Sequence, residues 1–194
     1  MTRGGGGARG AAPPRVTLRP PAPEDEAPFL ALVHDSAAHH HPWVAPPDTP
    51  AAFRAYLERA AREHDPFPAH VCRLVCRAED GAVVGVANLN NVVWGGLCCA
   101  SLGYYAFAPH AGRGYVREGV ARLVADGFAR VGLHRVEAAI QPDNVRSRAL
   151  LAALGFRHEG DSPRFLYLFG RWRDHERWAI TAEEWPRAGP ASAE

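Results

Sequence analysis

Leu102-Gly103-Tyr104-Tyr105-Ala106-Phe107, continuing through Ala108-Pro109-His110-Ala111 into Gly112-Arg113-Gly114-Tyr115-Val116, is the stretch on which the fold of this chain turns. An apolar strand hands over, through a glycine-rich bend, to a strongly periodic helix. Val116, Val120, Leu123, Val124, Phe128 and Val131 fall on one helical stripe, with Arg117, Glu118, Arg122, Asp126 and Arg130 opposite. The first-turn N–H groups of a helix have no internal partner and lie at the positive end of its dipole. Glycines ahead of them let the backbone approach an anion with no Cβ in the way. The stretch therefore predicts a phosphate cradle, and with it a pyrophosphate-bearing ligand.

Outward from that helix the pattern stays regular. Gly132 ends the helix and Arg135 to Gln141 reads as a strand. Asn144 caps a short helix that Gly155 terminates, and two strands, about 164–169 and 173–181, flank Gly170-Arg171-Trp172. Upstream, strands at about 98–108, 82–93 and 69–78 are predicted, the last two joined by Glu79-Asp80-Gly81. A first strand at Val16 and Leu18 precedes a helix opened by Pro23-Glu24-Asp25-Glu26, with Phe29, Leu32 and Val33 on one face. A His- and Pro-rich loop, His39 to Pro47, leads to a second helix capped by Asp48 or Thr49, with Pro50 just inside it. The order β-α-α-β-β-β-α-β-α-β-β describes an α/β arrangement around one mixed sheet.

Composition bounds the rest. A chain of 194 residues is one domain with tails. Residues 1–14 and 186–194 are expected to be disordered, leaving a domain at 15–185. Twenty-two Lys+Arg against 21 Asp+Glu leave a net charge of +1, which argues for neither nucleic acid nor membrane as a partner. No apolar run approaches the ~20 residues of a membrane span, and the N-terminus lacks a signal-peptide core, so a cytoplasmic location is expected. The four cysteines, Cys72, Cys76, Cys98 and Cys99, have no zinc or redox spacing and read as thiols packed in a sheet. His39-His40-His41 diverge as neighbours must, so no metal site is expected.

Six motifs in order carry a resemblance: Ala87-Asn88-Leu89-Asn90-Asn91-Val92-Val93, Leu102-Gly103-Tyr104, Gly112-Arg113-Gly114-Tyr115, Asn144-x-x-Ser147, Leu154-Gly155-Phe156 and Gly170-Arg171-Trp172-Arg173-Asp174-His175. The chain resembles the GCN5-related N-acetyltransferase (GNAT) superfamily, and within it the RimJ/RimL-type ribosomal-protein N-terminal acetyltransferases, from about residue 15 to 185. The resemblance implies a mostly antiparallel sheet of about seven strands flanked by four helices, with a splayed parallel pair at the acetyl-CoA site. It implies acetyl-CoA as co-substrate, bound at Gly112, Arg113, Gly114, Tyr115 and Val116, with no metal. Pro109 stands where the family pattern has Gln or Arg. The strand positions Tyr105, Ala106 and Phe107 would pair with the pantetheine arm, and Asn144 would reach it too.

The resemblance also implies direct attack of an amine on the thioester. Many members protonate the leaving thiolate with a Tyr where this chain has Leu151; the RimJ/RimL type instead carries the Ser at Ser147. For the base, Glu137 is the best remaining carboxylate, because none lies between Ala82 and His110. A water held by Asn88 or Asn90 is the alternative. An α-amine has a pKa near 8, so a strong base is not essential. His41, Trp43, Tyr167 and Trp172 are expected to shape the acceptor pocket. The expected acceptor is a protein N-terminus. A small amine (an aminoglycoside, polyamine or amino-acid derivative) is the second reading, and a non-catalytic acetyl-CoA-binding protein the third. Either a monomer or a homodimer fits.

Overall fold

A computed structural model describes residues 13–64 and 66–185. Of the predicted tails, 1–14 and 186–194, residues 1–12 and 186–194 lie outside the described residues, whereas Pro13 and Pro14 are described. Seven strands form one sheet: β1 (Val16–Arg19), β2 (Val71–Arg77), β3 (Val83–Val93), β4 (Cys99–Ala106), β5 (Arg135–Ile140), β6 (Arg157–Leu168) and β7 (Arg171–Thr181). Their order is β1-β2-β3-β4-β5-β7-β6, and every neighbouring pair is antiparallel except β4 with β5.

Five helices cover the sheet: α1 (Glu26–Asp35), α2 (Ala37–His40), α3 (Pro50–Ala61), α4 (Tyr115–Asp126) and α5 (Val145–Ala153). Four of them match the sequence expectation. The extra one, α2, occupies the start of the predicted His-rich loop; Ser36 O accepts from both His39 N and His40 N, and two alanines favour the turn. Thr49 caps α3, its Oγ1 accepting from Ala52 N at 3.2 Å. Past α4 the helix widens into a π turn over Gly127–Val131 and stops at Gly132, whose φ of 85° is left-handed.

Two apolar cores lie on the two faces of the sheet. Phe29, Phe53, Tyr56 and Phe107 pack under α1 and α3. Val120, Leu123, Val124, Val136 and Leu151 pack under α4 and α5. Gly119 lets α4 sit close to the sheet: a Cβ there would stand 2.7 Å from Val75 Cγ2. The strand β6 begins well before the predicted 164. Gly160 and Pro163 disfavour a central strand, but β6 is the sheet's edge, and its register slips at His158/Gly160 and Ser162/Leu166 accommodate both.

Candidate active site

One groove of about 1990 Å³ runs from the start of α4, between β4 and β5, to the α2 loop and β7. Its first part is backbone. Gly112 and Gly114 have φ of 76° and 80°, values that only glycine adopts without strain. That conformation turns the chain into α4 and leaves the N–H groups of residues 112–117 without an acceptor among the described residues. Arg15, Arg113, Arg117 and Arg122 line this end. Its carboxylate, Glu118, is held by Arg15 Nε at 3.3 Å and Arg122 Nε at 3.5 Å. Unpaired amides at a helix N-terminus, ringed by guanidinium groups, suit a polyphosphate.

The middle of the groove is a gap in the sheet. Strands β4 and β5 pair only at Cys99/Arg135, Ala100/Val136 and Ser101/Glu137. Beyond that point β4 remains bonded to β3 alone. Backbone groups alternate along a strand, and Phe107 N donates to Val84 O at 3.1 Å on the β3 side. Tyr104 and Ala106 therefore turn their N–H and C=O groups toward the gap. An extended ligand can pair there as a strand would.

Two elements close over this gap. Asn144 Oδ1 accepts from Ser147 N at 3.1 Å, capping α5. Ser147 lines the groove with its hydroxyl beside that of Tyr104. Tyr104 Oη donates to Ser147 O at 3.3 Å, and burial pushes the Tyr104 phenol upward in pKa. From the other side His40 Nε2 donates to Ala106 O at 2.9 Å and its ring meets Tyr105 edge-on at 5.1 Å. Gln141 Nε2 donates to Pro42 O at 2.8 Å, tying the α2 loop to the end of β5.

Residues 15–157 match the acetyltransferase (GNAT) domain family. The chain belongs to that family. A curated relative, the [ribosomal protein uS5]-alanine N-acetyltransferase of Escherichia coli (strain K12), is 36% identical over 107 residues, which span 55% of each protein. The match thus covers about half the length of that relative. Among solved structures, Mycobacterium smegmatis RimJ in complex with CoA-disulfide superposes with a TM-score of 0.80 at 32% identity, covering 89% of this chain and 85% of that one. Spermidine N-acetyltransferase from Vibrio cholerae, in complex with CoA and spermine, reaches 0.74 at 18% identity over 88% of this chain and 98% of that one, a likeness of fold alone.

Within this GNAT frame the predicted residues divide. Tyr105, Ala106, Gly112 to Val116, Asn144, Ser147, Trp43 and Asn90 line the groove together. Phe107 does not; it is fully buried, with its N–H bound to Val84 and its carbonyl to His110 N. Glu137 also stands apart from the groove lining. One of its oxygens accepts from Arg135 Nε and the other from Arg177 Nη2, both at 2.7 Å, so it serves as an ionic tie between β5 and β7. Asn88 is engaged elsewhere, its Oδ1 accepting from Tyr56 Oη at 2.9 Å and Arg73 N at 3.1 Å. His41 meets Phe169 edge-on, with ring centroids 4.7 Å apart. Tyr167 and Trp172 are exposed at the tip of the β6–β7 hairpin, packed on each other; one position either side of Tyr167, Leu166 and Leu168 face the groove instead.

The GNAT groove also contains residues that the sequence reading passed over. Tyr104 was part of a recognised motif, but its bridge to α5 depends on how the sheet opens. His40, Gln141 and His175 come together from a helix, a strand end and a strand far downstream. Of these, His40 lies in the histidine run weighed for metal and His175 in the last of the six motifs, whereas Gln141 carries no signal of its own.

Proposed function

We propose that this chain is an acetyl-CoA-dependent N-acetyltransferase acting on the α-amine of a protein N-terminus, a ribosomal protein first among the candidates. The observation that carries the reading is the run of unpaired amides at residues 112–117 opening directly onto the gap between β4 and β5. Those amides would hold the pyrophosphate. The pantetheine arm would run along the gap-facing edge of β4, at Tyr104 and the Ala106 amide, bringing the thioester beside Ser147 Oγ.

The chemistry needs no covalent enzyme intermediate. A neutral amine attacks the thioester carbonyl carbon and the C–N bond forms. An amide N–H on β4 would stabilise the oxyanion that results. The C–S bond then breaks, and Ser147 Oγ–H gives its proton to the thiolate as the hydroxyl regains one from the amine nitrogen. The products are an N-acetyl amine and CoA.

The choice of acceptor rests on charge. Among the described residues the groove's one carboxylate is Glu118, which sits at the phosphate end and is paired with two arginines. The acceptor half is formed by Trp43, Val44, Asn90, Gln141, Leu166 and His175, none of them anionic. A polyamine would find no counter-charge there, whereas a peptide bearing a single terminal amine, bound in neutral form, needs none. The names of the E. coli and M. smegmatis relatives support the same reading.

Thiol release from acetyl-CoA tests it, with an Ala-starting peptide and spermidine offered separately. Turnover on the peptide with little on spermidine is expected. Turnover on spermidine alone would move the chain to small-molecule acetylation, and binding of acetyl-CoA with no turnover on any amine would leave a non-catalytic binder.

A further inference from the structure

Strand β7 places a histidine at the acceptor end of the groove for which the reaction above has no use. The last β5–β7 pairs are Ala139/Arg177 and Ile140/Glu176, so the next step along brings Gln141 opposite His175. Opposed residues share a face of the sheet. Ile140 and Glu176 share the α5 face, where Arg148 Nε meets Glu176 at 3.0 Å. Gln141 and His175 share the other, under the α2 loop that Gln141 holds through Pro42. His175 is 3% exposed and lines the groove.

Its tautomer follows from its one hydrogen bond. Nδ1 lies 3.0 Å from Arg173 O, and a carbonyl can only accept, so Nδ1 carries the proton. In the neutral ring Nε2 then holds a lone pair. Nε2 has no hydrogen-bond partner among the described residues and is not one of the polar atoms sealed off from solvent, so the small exposed part of the ring includes it. His40 differs: its Nε2 is spent on Ala106 O, and its Nδ1 is sealed off.

The surroundings keep the ring neutral. Phe165 packs on it at 6.0 Å, Ser162 faces it from β6, and Gln141 faces it from β5. Its neighbours along β7 are Arg173, Asp174 and Glu176, the last turned to the α5 face. Burial lowers the His175 pKa below the ordinary value of 6.5, against smaller upward pushes from the Arg173 carbonyl and from Asp174.

We infer that His175 is the general base of this site, its Nε2 taking a proton from the incoming ammonium group directly or through one water. This rests on the acetyltransferase reading above. An R–NH3+ acceptor gives one proton to Nε2, leaving R–NH2 and an imidazolium. The amine lone pair forms the C–N bond, its second proton passes through Ser147 to the departing thiolate, and the imidazolium returns its proton to bulk water.

His175→Asn tests the inference, because an Asn amide keeps a donor near Arg173 O and removes the lone pair at Nε2. With the Ala-starting peptide at pH 7, kcat/KM should fall by roughly a hundredfold. Acetyl-CoA affinity by calorimetry should stay within about twofold, the precision at which such values are compared. Free imidazole should restore part of the lost rate in His175→Ala, and the defect should shrink as pH rises past the amine pKa near 8, where the acceptor needs no base. A wild-type enzyme active on the peptide with both variants within about threefold of it, a change under 1 kcal/mol, would overturn the base and leave the transferase reading intact. A wild-type protein that acetylates no amine would overturn both. A defect in His175→Ala that neither imidazole nor alkaline pH relieves would assign His175 to packing.

Discussion

The two ends of the groove are built by different means. At the α4 end, binding is a property of the backbone: left-handed Gly112 and Gly114 present unpaired amides, and the side chains around them add charge. At the acceptor end it is a property of side chains gathered from separated segments, His40 and Trp43 from the α2 loop, Gln141 from β5, Leu166 and His175 from the last hairpin. The first kind of site is local in sequence and tolerates little change. The second is distributed, so under the transferase reading individual residues could be exchanged to suit another acceptor without loss of the reaction.

The sharpest way to break that contrast is at the backbone end. Gly114→Val forces a β-branched residue to a φ of 80° and sets a Cβ 3.1 Å from Arg15 Nη2. Strain of ~1–3 kcal/mol and a displaced loop should weaken acetyl-CoA binding by at least ~100-fold in calorimetry. Unchanged affinity would mean that the amides of 112–117 are not the phosphate site. Ser147→Ala comes next: kcat should fall by ~10- to 100-fold with acetyl-CoA affinity unaltered, since only the proton donor is lost.

Gln141→Leu probes the distributed end. Releasing Pro42 from its 2.8 Å tie should raise KM for the peptide by ~10-fold and leave kcat near its wild-type value, the size of one hydrogen bond in a positioned loop. Tyr104→Phe should be smaller still. It removes one bond to Ser147 O and should lower stability by ~1 kcal/mol, read as a modest drop in Tm. The gentlest test is pH. Burial holds both His40 and His175 below the ordinary histidine pKa. The unfolded chain therefore takes up protons that the folded one refuses, so stability is intact above a pH of about 6.5 and declines as pH falls below it. A His40→Gln, His175→Asn double variant should flatten that decline in urea titrations between pH 7 and 5.5.

The same contrast explains what could be read in the sequence. Glycine is nearly obligatory at a positive φ, so Gly112 and Gly114 advertise their conformation, and an Asn three residues ahead of a Ser at a helix start advertises its cap. The strand order and the α4 stripe follow from periodicity, which is equally local. Glu137 reads as a candidate base, but its fate depends on Arg177, a residue brought within reach by β5–β7 register. Phe107 reads as ligand-facing in the sequence, but the side to which its backbone points is set by the pairing with β3. Tyr167 and Trp172 drew attention as aromatics, but the pleat turns Leu166 and Leu168 inward in place of Tyr167. Pairwise register between distant strands leaves no mark on a single sequence, and the acceptor end is built from it.

The three-pair contact between β4 and β5 has a consequence for how the molecule holds together. The sheet is nearly two sheets, β1–β4 on one side and β5–β7 on the other, joined at one end like the arms of a tuning fork. An extended arm seated along Tyr104 and Ala106 fills the cleft as an eighth strand and makes the layer continuous. Cooperativity of unfolding should therefore rise with acetyl-CoA bound, and amide exchange along 102–106 and 138–140 should slow together. Under the transferase reading, the substrate would complete the architecture of the protein that consumes it.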